Sequence, residues 1–137
     1  MRYTLLDNRK DEITLLARLL LMALFISFGW SKLTHFTGTV SYMAATGAPA
    51  PEISAAIAVV MEFFVGLALV LGFYTRPLAL LMALYTLGTA LIGHHFWTMS
   101  GAEQYANMIN FYKNLSIMGG LFLLSLTGPG KYSIDRK

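Results

Sequence analysis

The chain has 137 residues, of which 56% are apolar and only 12% charged, with a formal net charge of +3. A soluble domain carries about 25% charged residues, so this composition excludes an ordinary water-facing surface and makes the lipid bilayer the expected solvent. No cysteine is present, which excludes disulfides, cysteine-ligated metals and a CxxC redox cycle carried by this chain, and the absence of a basic patch interleaved with aromatics argues against a nucleic-acid partner.

Four apolar runs approach the roughly 20 residues needed to cross about 30 Å of hydrocarbon. The first is Ile13 to Trp30. It exceeds the 7–15-residue core of a signal peptide, contains Arg18 and is not followed promptly by an A-x-A site, so a permanent span is expected. The segment from Leu33 to Glu52 is mixed, with Pro49 and Pro51 near its end, and Gly38 to Thr46 reads as a short interfacial helix or lid, with Trp30 and Tyr42 at headgroup depth. The second span is Ile53 to Tyr74. Gly72-Phe73-Tyr74-Thr75-Arg76-Pro77 then stops one helix and restarts another, Pro77 falling in a first turn that needs no N–H donor. So short a connection makes spans two and three antiparallel neighbours. The third span is Leu78 to Trp97 and the fourth Met108 to Leu126, ended by Gly128-Pro129-Gly130. Strands are excluded by run length and by the lack of alternation. The expected fold class is an all-α membrane protein, a four-transmembrane-helix bundle in one domain over residues 1–137, with a short interfacial segment between spans one and two.

Orientation follows from the basic residues. Arg2, Arg9, Lys10, Arg76, Lys131, Arg136 and Lys137 share the side of the termini, Lys32 and Lys113 lie toward the other side, and Arg18 is within a span. The positive-inside rule then places both termini in the cytoplasm.

Polar groups within the spans are the candidate functional residues, because each costs about 2.5–3.5 kcal/mol on insertion scales and usually faces the bundle interior. Arg18, Met22, Phe25, Gly29 and Lys32 follow steps of three and four along one stripe of span one. Glu62, Gly66 and Leu69 do so on span two. On span three, Ala83, Leu87, Ala90 and His94 form one stripe and Gly88, Leu91 and His95 its neighbour. On span four, Asn110, Lys113, Asn114 and Ile117 share a face. Lys32, His94, His95, Asn110, Lys113 and Asn114 all fall toward the outer ends, and Glu62 is the deepest acid. These residues predict a polar pocket in the outer half of the bundle with Glu62 at its floor, neutralised by Lys113 or Lys32. Arg18 is expected to be structural, its long side chain snorkelling to cytoplasmic headgroups. Adjacent histidines point about 100° apart on a helix, so His94 and His95 do not suggest a shared metal, and no metal site is expected.

Several of these segments together resemble one known family. Phe28-Gly29-Trp30-Ser31-Lys32-Leu33, then Gly38-Thr39, Tyr42-Met43, Glu62 with Gly66, Leu71-Gly72-Phe73-Tyr74-Thr75-Arg76, His94, Asn110-Phe111-Tyr112-Lys113-Asn114-Leu115, Gly119-Gly120 and the Gly128 to Asp135 tail stand in the order and spacing of the DoxX family of small bacterial inner-membrane proteins. The resemblance covers roughly residues 13 to 136. It implies a multi-pass protein of the bacterial inner membrane and an association with quinol oxidases, thiosulfate–quinone chemistry or soluble redox enzymes.

Three functions compete. A redox-associated membrane subunit would bind a quinone-like or other small apolar ligand, using Lys32, Glu62, His94 and Lys113 as hydrogen-bonding groups and Phe25, Phe28, Trp30, Phe63, Phe96 and Phe111 as walls. Such a subunit would be an accessory to an oxidoreductase rather than an enzyme by itself. A small oligomeric transporter would need self-association, since four spans enclose little. A non-catalytic scaffold or assembly subunit would need a partner surface, and the short loops offer little. The first of these is the leading expectation.

Overall fold

A computed structural model describes residues 4–136, so Arg2 and Lys137 of the charge count lie outside the described residues. Five α-helices carry the fold: α1 (Lys10–Thr34), α2 (Phe36–Thr46), α3 (Pro51–Leu71), α4 (Thr75–Gly93) and α5 (Gly101–Thr127). Short 3-10 turns at Asp7–Arg9 and Phe96–Thr98 flank α1 and follow α4, and no strand occurs among the described residues. Within α3, Val60–Val65 is wound as a π-helix.

The helices start and stop where local chemistry requires. Pro51 opens α3 at a position whose N–H would have no partner. Gly72 ends it in the left-handed region at φ 71°, with Phe73 N donating to Ala68 O and Gly72 N to Leu69 O, the paired bonds of a Schellman cap. His94 ends α4 earlier than the apolar run suggests, and the chain passes through the 3-10 turn before α5 begins.

Three stretches, Asp7–Thr34, Pro51–Leu71 and Thr75–Thr98, are long and apolar enough to cross a membrane. The fourth expected span lies in α5, which at 27 residues is long enough, but Asn107, Asn110, Lys113 and Asn114 dilute its outer half. Helix α2 confirms the short helix expected over Gly38 to Thr46, beginning two residues earlier.

Packing joins two pairs, α1 against α3 and α4 against α5, with α2 folded onto the start of α3. The core draws on all four long helices: Met22 and Phe25, Met61 and Leu69, Ala79, Met82 and Ala83, and Leu121 and Leu124. In lipid such contacts gain no hydrophobic driving force; close fit and small residues hold helices together instead. The stripes expected on α1 and α3 are the buried ones: Arg18, Met22, Phe25 and Gly29 on α1, and Glu62, Gly66 and Leu69 on α3.

One end of the bundle is closed by the tail, residues 128–136. Lys131 N donates to Asp11 Oδ1 at 2.9 Å, and Ile134 N and Asp135 N donate to Leu71 O and Gly72 O. The Asp135 carboxylate accepts from Tyr74 N at 3.0 Å and Thr75 N at 2.8 Å, capping the free donors of α4. Arg76 donates to the carbonyls of Ser125, Leu126 and Thr127 at the end of α5. Arg18, fully buried, donates to Val70 O at 2.7 Å, to Leu69 O and to Tyr132 O. This corrects the snorkelling expectation. The guanidinium turns inward because the carbonyls at the end of α3 and in the tail supply acceptors that headgroups would otherwise provide. Gly72 is required twice, by its φ and because an added Cβ would lie 2.2 Å from Ser133 Cβ.

Candidate functional site

Where α1 crosses α3, backbone meets backbone. A Cβ on Gly29 would stand 2.6 Å from Phe63 N and 2.8 Å from Glu62 C, so only glycine permits this approach. One turn further along α1, Lys32 thereby reaches α3, its Nζ 2.7 Å from Glu62 Oε1. From α4, Tyr85 OH donates to the other oxygen, Oε2, at 2.5 Å. The carboxylate is buried, with a side-chain exposure of 8% against 24% for Lys32. An ion pair taken out of water is tolerated only when good geometry and further hydrogen bonds satisfy the remaining acceptors, and here each oxygen has its own donor.

Glu62 sits in the π-helical stretch of α3. Such single-turn widenings of an α-helix occur frequently at functional sites. At 1.5 Å per residue Glu62 is about 13–14 Å from the Leu71 end of α3 and about 16–17 Å from the Pro51 end, near the middle of the helix. The Trp30 and Phe63 rings stack beside the pair with centroids 5.6 Å apart, and Lys32 Nζ lies 5.7 Å from the Phe28 ring. Phe28 and Trp30 face outward.

The other expected site residues separate into distinct places. His94 Nδ1 is 2.9 Å from Asn107 Oδ1, tying α4 to α5 at the end of the bundle away from the tail. His95 donates from Nδ1 to Ile92 O at 2.7 Å. Asn114 donates to Thr89 Oγ1 at 3.1 Å and to Thr86 O at 3.4 Å. Asn110 and Lys113 are exposed, and Lys113 forms no salt bridge among the described residues. Of the two cations weighed as the partner of Glu62, the structure selects Lys32 and corrects the expectation for Lys113. The face expected on α5 is continued toward the tail by Leu121 and Leu124, both buried, and α1 approaches it closely where Leu21 meets Gly120. A groove of about 560 Å³ opens between Leu24 of α1 and Met108, Ile109, Tyr112, Lys113, Ser116 and Ile117 of α5. A second groove, about 460 Å³, runs along the first half of α3 from Glu52 to Met61. Neither is lined by Lys32 or Glu62.

Tyr85, Asn107, Thr86 and Thr89 were not among the residues singled out from sequence. Tyr85 carried a usable signal as a hydroxyl-bearing ring in the middle of an apolar run; the threonines and Asn107 gain meaning only from what faces them. Among the described residues no group of three or more histidines, aspartates or glutamates is arranged to hold a metal ion.

Helices of membrane-crossing length, joined at depth by a satisfied ion pair, define a helical membrane protein. Residues 13–95 match the DoxX family profile. The chain is 51% identical over all of its 137 residues to inner membrane protein YphA of Escherichia coli, covering 98% of that relative, and 44% identical to inner membrane protein YqjF of the same organism, over 93% of this chain and 92% of the relative. The chain belongs to the DoxX family. A more distant similarity, 25% identity over 131 residues, connects 96% of this chain with 35% of the Saccharomyces cerevisiae ER-derived vesicles protein ERV29. No solved structure shows a significant match. The family match runs from α1 to the end of α4 and so contains Lys32, Glu62 and Tyr85, while Lys113 lies beyond it.

Proposed function

We propose that this chain is an inner-membrane protein of four spans with both termini in the cytoplasm, and that Lys32, Glu62 and Tyr85 form a site for a small apolar ligand of the quinone type, serving a redox partner. The observation that carries this reading is the double hold on Glu62, by an ammonium from α1 and a phenol from α4. A quinone carbonyl is an acceptor like a carboxylate oxygen, so the same two donors suit it. Phe28 and Trp30 offer rings to the ligand on the lipid side, and Lys32, a quarter exposed, stands between the rings and the carboxylate. Glu62 is then the group placed to hold a proton at Oε1 or Oε2. A bound quinone would supply electron and proton acceptance; this chain has no cysteine and, among the described residues, no metal-binding cluster, so electrons would come from a partner protein.

The four-span reading takes α5 as the last crossing. Its 27 residues extend about 40 Å, it packs along α4, and Arg76 covers its inner end. Arg9, Lys10, Arg76, Lys131 and Arg136 gather at the end closed by the tail, against Lys32 and Lys113 beyond mid-helix, which supports a cytoplasmic location for that end.

Native mass spectrometry of gently solubilised protein, with quinone extraction and Glu62→Gln alongside, tests the ligand. A stoichiometric quinone lost in the variant supports the proposal; an empty site in both proteins overturns it and leaves the ion pair as a device that fixes helix register. The cysteine-free chain also allows single cysteines to report orientation. An impermeant thiol reagent should label Glu103→Cys in intact cells and spare Asp7→Cys, and the reverse pattern would overturn the orientation.

A further inference from the structure

Lys113 presents a problem that the Glu62 site does not solve. It is exposed on α5, about 9 Å inward of Asn107 at 1.5 Å per residue, and Asn107 is level with the end of α4 through its bond to His94. That depth places its ammonium in the outer part of the hydrocarbon, where a lone charge is costly. The chain has seven acidic residues, and none is available there. Asp7, Asp11 and Glu12 lie at the start of α1 and Asp135 in the tail, all at the inner end. Glu62 is taken by Lys32 and Tyr85. Glu52 and Glu103 stand at the outer tips of α3 and α5, and Glu103 is about 15 Å from Lys113 along the helix.

The same inventory argues against a second copy as the covering partner. A copy would bring the same seven acids at the same depths, and a symmetric contact through this face would set Lys113 against Lys113. The counter-ion must come from outside the chain.

The groove beside Lys113 suggests its source. Leu24, Met108, Ile109 and Ile117 make its walls apolar, while Tyr112, Lys113 and Ser116 give it one polar edge. It is a shallow groove of about 560 Å³, open on one side between Leu24 of α1 and the Met108 to Ile117 face of α5, a shape that suits a chain lying along the helices. We infer that this groove holds one phospholipid of the outer leaflet, an acyl chain between α1 and α5 and the phosphate on the upward-reaching Lys113 ammonium. The flexible four-carbon stem allows that reach, and a headgroup phosphate is the anion that the bilayer itself supplies at this level.

The inference rests on α5 crossing the membrane, which a Lys131→Cys variant tests separately: the tail cysteine should be spared by the impermeant reagent in intact cells, and its labelling would overturn the crossing. Wild-type protein, Lys113→Gln, Lys113→Arg and Glu62→Gln are loaded with phosphatidylglycerol, or with diacylglycerol as a phosphate-free control, then progressively delipidated and weighed by native mass spectrometry. Wild type, Lys113→Arg and Glu62→Gln should each retain one phosphatidylglycerol per chain, Lys113→Gln should retain at least tenfold less, and diacylglycerol should wash out of all four. Equal retention in wild type and Lys113→Gln, equal retention of diacylglycerol, or lipid-free dimers that vanish in Lys113→Gln would each overturn it. Loss in Glu62→Gln alone would place the lipid at the other site and overturn this assignment as well.

Discussion

The two ends of the bundle are held by different chemistry. At the end closed by the tail, Arg18, Arg76 and the tail bind mainly to backbone: the carbonyls of Leu69, Val70 and Tyr132, the last carbonyls of α5, and the first N–H groups of α4. Helix termini leave such groups unpaired, and cations at C-termini and a carboxylate at an N-terminus also complement the helix dipole. Farther out, at Lys32, Glu62, Tyr85, His94 and Asn107, the contacts run from side chain to side chain. A carbonyl at a helix end cannot leave its position without unwinding the helix, whereas a side chain can change partner by turning a few torsions. The contrast assigns the tail end to holding the fold and leaves the mid-depth ion pair as the part for which a ligand is proposed.

The sharpest way to break this contrast is Arg18→Leu. It removes the charged donor from Val70 O and Tyr132 O, and from Leu69 O, which keeps Gly72 N–H; with each bond to a charged donor worth about 1.5–3 kcal/mol, stability should fall on the order of 3–5 kcal/mol. The loss should appear as a lower unfolding midpoint in detergent and as early proteolysis of the tail. An unchanged midpoint would mean that the tail is not a closing element.

Next in size is Lys32→Leu, which leaves Glu62 buried without its cation, at a cost of about 3–5 kcal/mol. The double replacement Lys32→Leu with Glu62→Leu should recover most of that loss, because the penalty belongs to the uncompensated charge. Lys113→Leu should not destabilise in detergent, because it strands no buried carboxylate: Lys113 has no ion-pair partner among the described residues. A larger loss for Lys113→Leu than for Lys32→Leu would reverse the pairing described here.

Gly29→Ala separates the sites without touching a charge. Its methyl group overlaps the backbone of Glu62 and Phe63, so α1 must shift, at about 1–3 kcal/mol for overpacking. A disulfide trap between cysteines placed on α1 and α3 at this crossing should form more slowly in the variant. Tail protection from proteolysis should remain, since Arg18 lies three turns away.

The smallest effect is expected for Asp135→Ala. Loss of a helix N-cap typically costs about 1 kcal/mol, read as faster hydrogen exchange at Tyr74 and Thr75 with quinone retention unaltered. Loss of quinone in this variant would show that the two ends are coupled.

Much of the fold was legible because lipid simplifies the code. Steps of three and four residues picked out Arg18, Met22, Phe25 and Gly29, and all four are buried. Gly72 and Pro77 marked the turn between α3 and α4. The polar residues of α5 were harder to read. Asn110 and Lys113 share a face with Asn114 and Ile117, yet they do not join Glu62 in the one polar pocket expected: the groove beside Lys113 is lined by neither Lys32 nor Glu62. Periodicity gives the direction of a side chain around its own helix and carries no information about how far away the next helix lies.

What the sequence determined by itself was therefore the solvent, the helices, the faces on α1 and α3 and the membership of the residues from Phe28 to Leu33 in a recognisable motif. Tertiary structure alone decided that Glu62 pairs with Lys32 and Tyr85 and leaves Lys113 apart, that Arg18 turns inward to the tail, and that α3 widens into a π-helix at Glu62. Each of these depends on separations of a few ångströms between segments distant in sequence. Those distances are set by backbone contacts such as Gly29 on Phe63 and by the path of the tail, neither of which has a period to read.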